Sequence, residues 1–455
     1  MTALLYALGL ITFFVAILAS IGLHELGHMI PAKRFGGKVT QYFIGFGPTV
    51  WSKQVGETEY GVKAIPLGGY VKIVGMLPPG ALDVAEEVEI DAATGNQIVK
   101  VRKSNTGMFT QLISDARAAE WELVKPEDTD RLFYKMAWWK KVVVMAGGPS
   151  VNIAIAFFLF WGVFSTYGQV VDTVPEPGQP VLASVSECVL PYTEEGRPCT
   201  EDDPRAPAAA AGLLPGDTIT SFNGTSVTDW DQLRDLIRDN EDGNAEIGYL
   251  RDGESGTGST STTVEARPTS STDETLTQVG FLGVTPTAEA VFETGGPIYT
   301  IRQMGTMTID TLQALVTLPA KVFDVGQAIL GLEERDPESP VSIVGGGRLA
   351  GETTSTDQLD VSEKLAFLVA LIAGFNFFIG MFNFIPLLPL DGGHIASALW
   401  EAVRRGFARL RGRPDPGYVD AAKLLPVAYV VASALLIMGV VLIVGDLVVP
   451  LQVEF

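Results

Sequence analysis

Four stretches of this chain carry no charge over the roughly 20 residues that a helix needs to cross a bilayer. They are Ala3–Leu23, Val142–Val171, Leu365–Leu390 and Leu424–Gly445. In lipid a backbone must satisfy its own amides, so each is expected as a transmembrane helix. A fifth run, Met304–Leu332, is apolar but holds Asp310, Lys321 and Asp324, which suit an amphipathic helix on the membrane surface. The spans cannot be the whole molecule, because 19% of the 455 residues are charged. No basic residue precedes Lys33, which argues for a span at residues 3–23 and against a signal peptide. The net charge of −21 excludes nucleic acid as a partner, since no basic face is large enough to release phosphate counterions.

Basic residues beside spans mark the cytoplasmic side. Lys33, Arg34 and Lys38 follow the first span, Lys135, Lys140 and Lys141 precede the second, and Arg404, Arg405, Arg409, Arg411 and Arg413 separate the third from the fourth. All three clusters can be cytoplasmic only if both termini are outside. The expected organisation is then a first helix (1–34), a hairpin region (35–76), an acidic cytoplasmic insertion (77–134) and a second helix (135–171). An extracytoplasmic domain (172–290) and an amphipathic linker (291–360) follow. A third helix (361–394), a basic cytoplasmic loop (395–423) and a fourth helix with an outside tail (424–455) complete the chain. Within the outside part, Cys188 and Cys199 are expected to pair, because an oxidising compartment permits a disulfide. Residues 250–275, rich in Gly, Ser and Thr, read as a flexible loop.

The first span ends in HELGH, residues 24–28. On a helix, residues i and i+4 share a face, so His24 and His28 present two imidazoles to one point and Glu25 stands beside them as a base. Ionisable groups in a span are costly and mark function. A catalytic zinc site needs a third ligand and one open position. Both Asp391 and His394 are candidates, in NFIPLLPLDGGH at 383–394. Spans one and three run in the same direction, so this stretch reaches the level of HELGH. Pro386 and Pro389 break the helix there.

With these motifs the chain resembles the site-2 protease family of intramembrane zinc metalloproteases. HELGH and the Asn383–Gly393 stretch match its two metal-site motifs. GFGP (45–48) and IPLGGYVK (65–72) look like the membrane-associated β-hairpin of bacterial members, and GGPSVN (147–152) like the motif opening the second span. PAAAAGLLPGDTITSFNG (207–224) looks like the carboxylate-binding-loop region of a PDZ domain, and SPVSIVGGG (339–347) like the stretch before the third span. The resemblance implies His24, His28 and Asp391 as zinc ligands, Glu25 as general base, and Asn383 as a catalytic residue that holds the substrate backbone or the oxyanion. It implies a multi-span helical membrane protein of the plasma membrane, with an inserted PDZ-like α/β domain built around Ile219 and Phe222.

The function so implied is hydrolysis of peptide bonds in transmembrane segments of single-span proteins, such as anti-sigma factors or signal-peptide remnants, during regulated proteolysis. Residues 58–72 are expected to offer a strand edge to the unwound substrate, with Tyr60, Val62 and Ala64 alternating. Two other classes compete. A non-catalytic PDZ adaptor has no use for Glu25, and a metal transporter would carry ligands on more spans than the first and third.

Overall fold

The computed structural model describes residues 2–78, 88–90, 97–99, 108–121, 124–175, 178–192, 199–200, 203–270 and 273–451. They form two compact units, Met1–Tyr167 with Thr294–Phe455, and Gly168–Glu293.

Helix α1 (Thr2–Arg34) buries Phe13, Ile17, Ser20, His24 and His28, a stripe at three- and four-residue spacing, and leaves Leu4, Leu8, Ile11 and Val15 exposed. Lys33 and Arg34 occupy its last turn, where they complement the helix dipole. Strands β1 (Val39–Val55) and β2 (Thr58–Ile73) follow, pairing in a folded-over pattern. Gln41, Tyr42 and Phe43 each face two partners, at Lys72, Val71 and Tyr70 on one side and at Glu59, Tyr60 and Gly61 on the other. Residues 51–55 close over 58–62 from the far side. Tyr60 and Val62 are therefore interior to this sheet and cannot be the free edge. That edge is 69–73, the second half of the expected segment.

The insertion after residue 77 contains two short paired strands, β3 (Val88–Ile90) and β4 (Gln97–Val99), and helix α2 (Met108–Trp121). The remainder of it up to residue 107 lies outside the described residues. Helix α3 (Trp138–Thr166) packs its stripe Lys141, Val144, Gly148, Asn152, Ala156 and Phe160 against α1 and later helices. Glycines set the closest approach: a β-carbon on Gly147 would lie 2.0 Å from the carbonyl oxygen of Gly27.

The second unit begins with β5 (Gln169–Pro175) and β6 (Leu182–Val185), then α4 (Pro207–Ala210), β7 (Thr218–Phe222), β8 (Thr225–Ser226) and α5 (Trp230–Asp239). Strands β9 (Asn244–Arg251), β10 (Glu254–Ser261), β11 (Thr263–Ser270), β12 (Asp273–Phe281), β13 (Val284–Pro286) and β14 (Ala288–Glu293) complete it. Its main sheet has the order β10-β9-β7-β8, and Ile219, Phe222, Leu233 and Ile247 form its core. Asp229 caps α5 by accepting a hydrogen bond from the Gln232 amide. Cys188 and Cys199 are joined by a disulfide.

Residues 250–275, expected as a flexible loop, are mostly strand. Asp252 and Gly253 both have positive φ and make the tight turn that an Asp-Gly pair favours. The threonines that follow are β-branched and suit strands. Composition misled here, where the turn dipeptide carried the signal.

Helix α6 (Pro297–Ile329) covers the fifth apolar run and packs on α3 and on the last helix, and α7 (Ile343–Ser355) lies on α1. Helix α8 (Val361–Asn383) ends at Asn383, short of the expected Leu390, because Pro386 and Pro389 follow. The chain restarts as α9 (Asp391–Leu410), so the segment read as a basic loop is largely helical. Helix α10 (Leu425–Val448) is last. Among the described residues, four helices are long and apolar enough to cross a membrane, Thr2–Arg34, Trp138–Thr166, Val361–Asn383 and Ala421–Val448, matching the four expected spans. The chain is a multi-pass membrane protein.

Candidate metal centre

Side-chain atoms of His24, His28 and Asp391 lie within 4.8 Å of one another. The helical spacing puts the two imidazoles on the buried face of α1, with their Nε2 atoms 3.2 Å apart. Asp391 enters as the first residue of α9, after the proline-broken turn, and its Oδ2 is 3.3 Å from each Nε2.

Helix α3 fixes both rings from behind. Nδ1 of His28 is 2.8 Å from the carbonyl oxygen of Val144, which can only accept, so Nδ1 carries the proton and Nε2 the lone pair. Nδ1 of His24 stands in the same relation to Oδ1 of Asn152, at 3.2 Å. With both rings neutral, two imidazole lone pairs and a carboxylate converge with no hydrogen-bond donor between them. Such a donor set is repulsive unless a cation sits among it, and imidazole plus carboxylate suits zinc. Gly148 faces this point: a β-carbon there would lie 2.3 Å from Nε2 of His28 and 2.7 Å from Nε2 of His24. The absent side chain leaves a cradle, and the residues fit a zinc ion.

The cluster opens into a cavity of about 480 Å³ lined also by Glu25, Asn383, His394 and residues 68–71 of β2. A β-carbon on Gly69 would touch Cγ of Glu25 at 3.1 Å, so the free strand edge runs directly along the acid. Asn383 donates one amide hydrogen to the Ile379 carbonyl of its own helix, at 3.1 Å, and has a second to offer. His394, the rival on spacing, is three residues into α9 and outside the three-residue cluster. It lines both this cavity and a smaller one bounded by Lys141, Ser397 and Glu401.

Sequence reasoning missed Val144, Gly148 and Asn152 as supports of the site, although GGPSVN had been singled out. Their four-residue spacing on α3 places them on one face, and that pattern was the available signal.

In the second unit, a groove runs between α5 and residues 279–284, lined by Trp230, Arg234, Arg238 and Arg267. The 207–224 stretch supplies buried core residues Ala208, Leu213, Ile219 and Phe222.

The profile of peptidase family M50 matches residues 12–417. Among curated proteins, zinc metalloprotease Rip1 of Mycolicibacterium smegmatis is 34% identical over 99% of this chain and 100% of its own length. Zinc metalloprotease Rip1 of Mycobacterium tuberculosis is 33% identical over 99% of both chains. Regulator of sigma-W protease RasP of Bacillus subtilis is 24% identical over 87% of this chain and 90% of its own. Among solved structures, the PDZ domain of an SdrC-like protein from Listeria monocytogenes matches 25% of this chain and 90% of its own, at 18% identity and a TM-score of 0.16. The chain belongs to peptidase family M50, the site-2 proteases, and is an intramembrane zinc metalloprotease.

Proposed function

We propose that this M50 peptidase holds zinc on His24, His28 and Asp391, uses Glu25 as general base, and cleaves single-span membrane proteins within their spans. The observation that carries this reading is the convergence of three acceptors beside Gly148, in one cavity with Glu25 and Asn383. A bound zinc ion supplies Lewis acidity and an activated water near neutral pH.

The chain's own groups do the rest. Glu25 takes a proton from the attacking water and passes it to the departing amine nitrogen. Asn383 turns its second amide hydrogen toward the scissile carbonyl, where negative charge develops. Val144 and Asn152 keep the imidazole protons on Nδ1, so that both Nε2 atoms stay available.

A substrate helix has its amides bonded internally and must unwind before it is cut. The free edge at 69–73 can take the unwound strand by β-augmentation, holding it along Glu25. The hairpin's exposed Phe46, Val50, Trp51 and Ile65 support its association with the membrane.

Placing the basic clusters in the cytoplasm puts both termini and the second unit outside. That unit reads as a PDZ-like domain whose groove either recognises a substrate terminus or screens substrates by size. Membrane-anchored anti-sigma factors are the substrate class in view, by analogy with the protein named regulator of sigma-W protease. Glu25→Gln tests the reading: the variant should retain zinc and leave a single-span test substrate uncut, and wild-type cleavage would refute the role of Glu25.

A further inference from the structure

Helix α9 leaves the metal centre at Asp391 and runs to Leu410. Its middle is pinned in depth. Nζ of Lys141, in the first turn of α3, lies 2.7 Å from Oε2 of Glu401, and both groups are buried. The same turn of α3 carries Trp138 and Trp139, which are 39% and 46% exposed. Exposed tryptophans at the end of a span mark the headgroup level. Glu401, where the second half of α9 begins, therefore lies at that level.

There it presents an apolar stripe. Trp400, Val403, Phe407 and Leu410 follow one another at spacings of three and four residues and are 57%, 58%, 51% and 87% exposed. No described residue covers them. Arg404 and Arg411 border the stripe, Arg411 with its guanidinium 4.0 Å from the Phe407 ring centroid, and Arg413 follows at the helix end. In a chain of net charge −21 this is a concentrated exception in sign.

We propose that the second half of α9 is a docking surface for anionic phospholipid. The stripe enters the headgroup–acyl boundary, and Arg404, Arg411 and Arg413 take the lipid phosphates. An apolar face bordered by arginine is what an interfacial helix needs, and a basic cluster next to a span draws negative headgroups. Because α9 starts at Asp391, docking fixes the far end of the helix that carries this carboxylate. The proposal stands on the geometry of α9 and does not depend on the chemistry assigned to the centre.

The test uses the full chain with Leu410→Cys carrying an environment-sensitive fluorophore; the native cysteines are tied in their disulfide. The protein is placed in nanodiscs of phosphatidylcholine, with or without a third of phosphatidylglycerol. Phosphatidylglycerol should shift the emission to the blue and shield the label from acrylamide. In Arg404→Gln/Arg411→Gln/Arg413→Gln the docked-to-free ratio should fall about fivefold per arginine, since each contributes ~1 kcal/mol near an anionic surface. The matching triple lysine variant should keep the shift. Equal emission in both lipids, a glutamine variant that behaves as wild type, a lysine variant that loses the shift, or the same shift from soluble glycerol phosphate would each overturn the proposal.

Discussion

A β-carbon placed on Gly148 would lie 2.3 Å from Nε2 of His28, well inside any real contact. The second span thus reaches Nε2 of His24 and of His28 on the first span through a residue with no side chain. Gly148→Ala should keep the helix, since alanine is the better helix former by about 1 kcal/mol, yet push a methyl into the zinc position. Purified Gly148→Ala should contain little zinc and cleave at least 100-fold more slowly, a loss of about 3 kcal/mol of transition-state stabilisation. Gly162→Ala, whose β-carbon would meet nothing within 4 Å, should behave as wild type.

Asn152 is fully buried and orients His24 through Nδ1. Loss of such an outer partner weakens metal binding by about 10- to 100-fold. Competition with a chelator should show that weakening in Asn152→Ala, with helicity unchanged by circular dichroism.

Gly69 touches Cγ of Glu25 at 3.1 Å and the Phe43 carbonyl oxygen at 3.0 Å when a β-carbon is added. The strand cannot retreat toward Phe43, so Gly69→Ala must displace the acid by a few tenths of an ångström. A misplacement of this kind should lower cleavage roughly tenfold. Zinc content, measured on the same preparation, should stay at the wild-type level.

Asp217 binds Arg251 through both oxygens, each at 2.7 Å, and accepts the Leu214 amide. Burial alone would raise its pKa; the bonds from Arg251 and Leu214 outweigh burial and hold the carboxyl below its usual range. A depressed folded-state pKa stabilises fully above the unfolded carboxyl's value of about 4, and that stability disappears as pH falls through the lower folded value. The second unit should therefore lose resistance to urea below about pH 4 in the wild type. In Asp217→Asn it should already be weaker at neutral pH, by about 1–3 kcal/mol. Pulse proteolysis with thermolysin at neutral pH and pepsin in acid reads both.

The parts of the site carried by local spacing were legible in the sequence. HELGH fixes two rings on one helical face, and the prolines of 383–394 announce the break that delivers Asp391. The supports from α3 were legible only as one face of a helix; their pairing with the rings was not, because His24 meets Asn152 across 128 residues and His28 meets Val144 across 116. No local period reports such a pairing. The strand edge was read one half too early, since nothing in Tyr60 or Val62 shows that Phe43 folds back beside them. Helix α9 was hidden for another reason: its arginines were counted for topology while Val403, Phe407 and Leu410 held a helical period.

The most direct test of the zinc assignment is X-ray absorption at the zinc edge on the full-length protein. Two imidazole nitrogens at about 2.0–2.1 Å and a carboxylate oxygen at about 2.0–2.2 Å are predicted, with bound zinc falling below one per chain in His28→Ala and in Asp391→Ala. Full zinc occupancy with an unchanged spectrum in either variant would contradict the account.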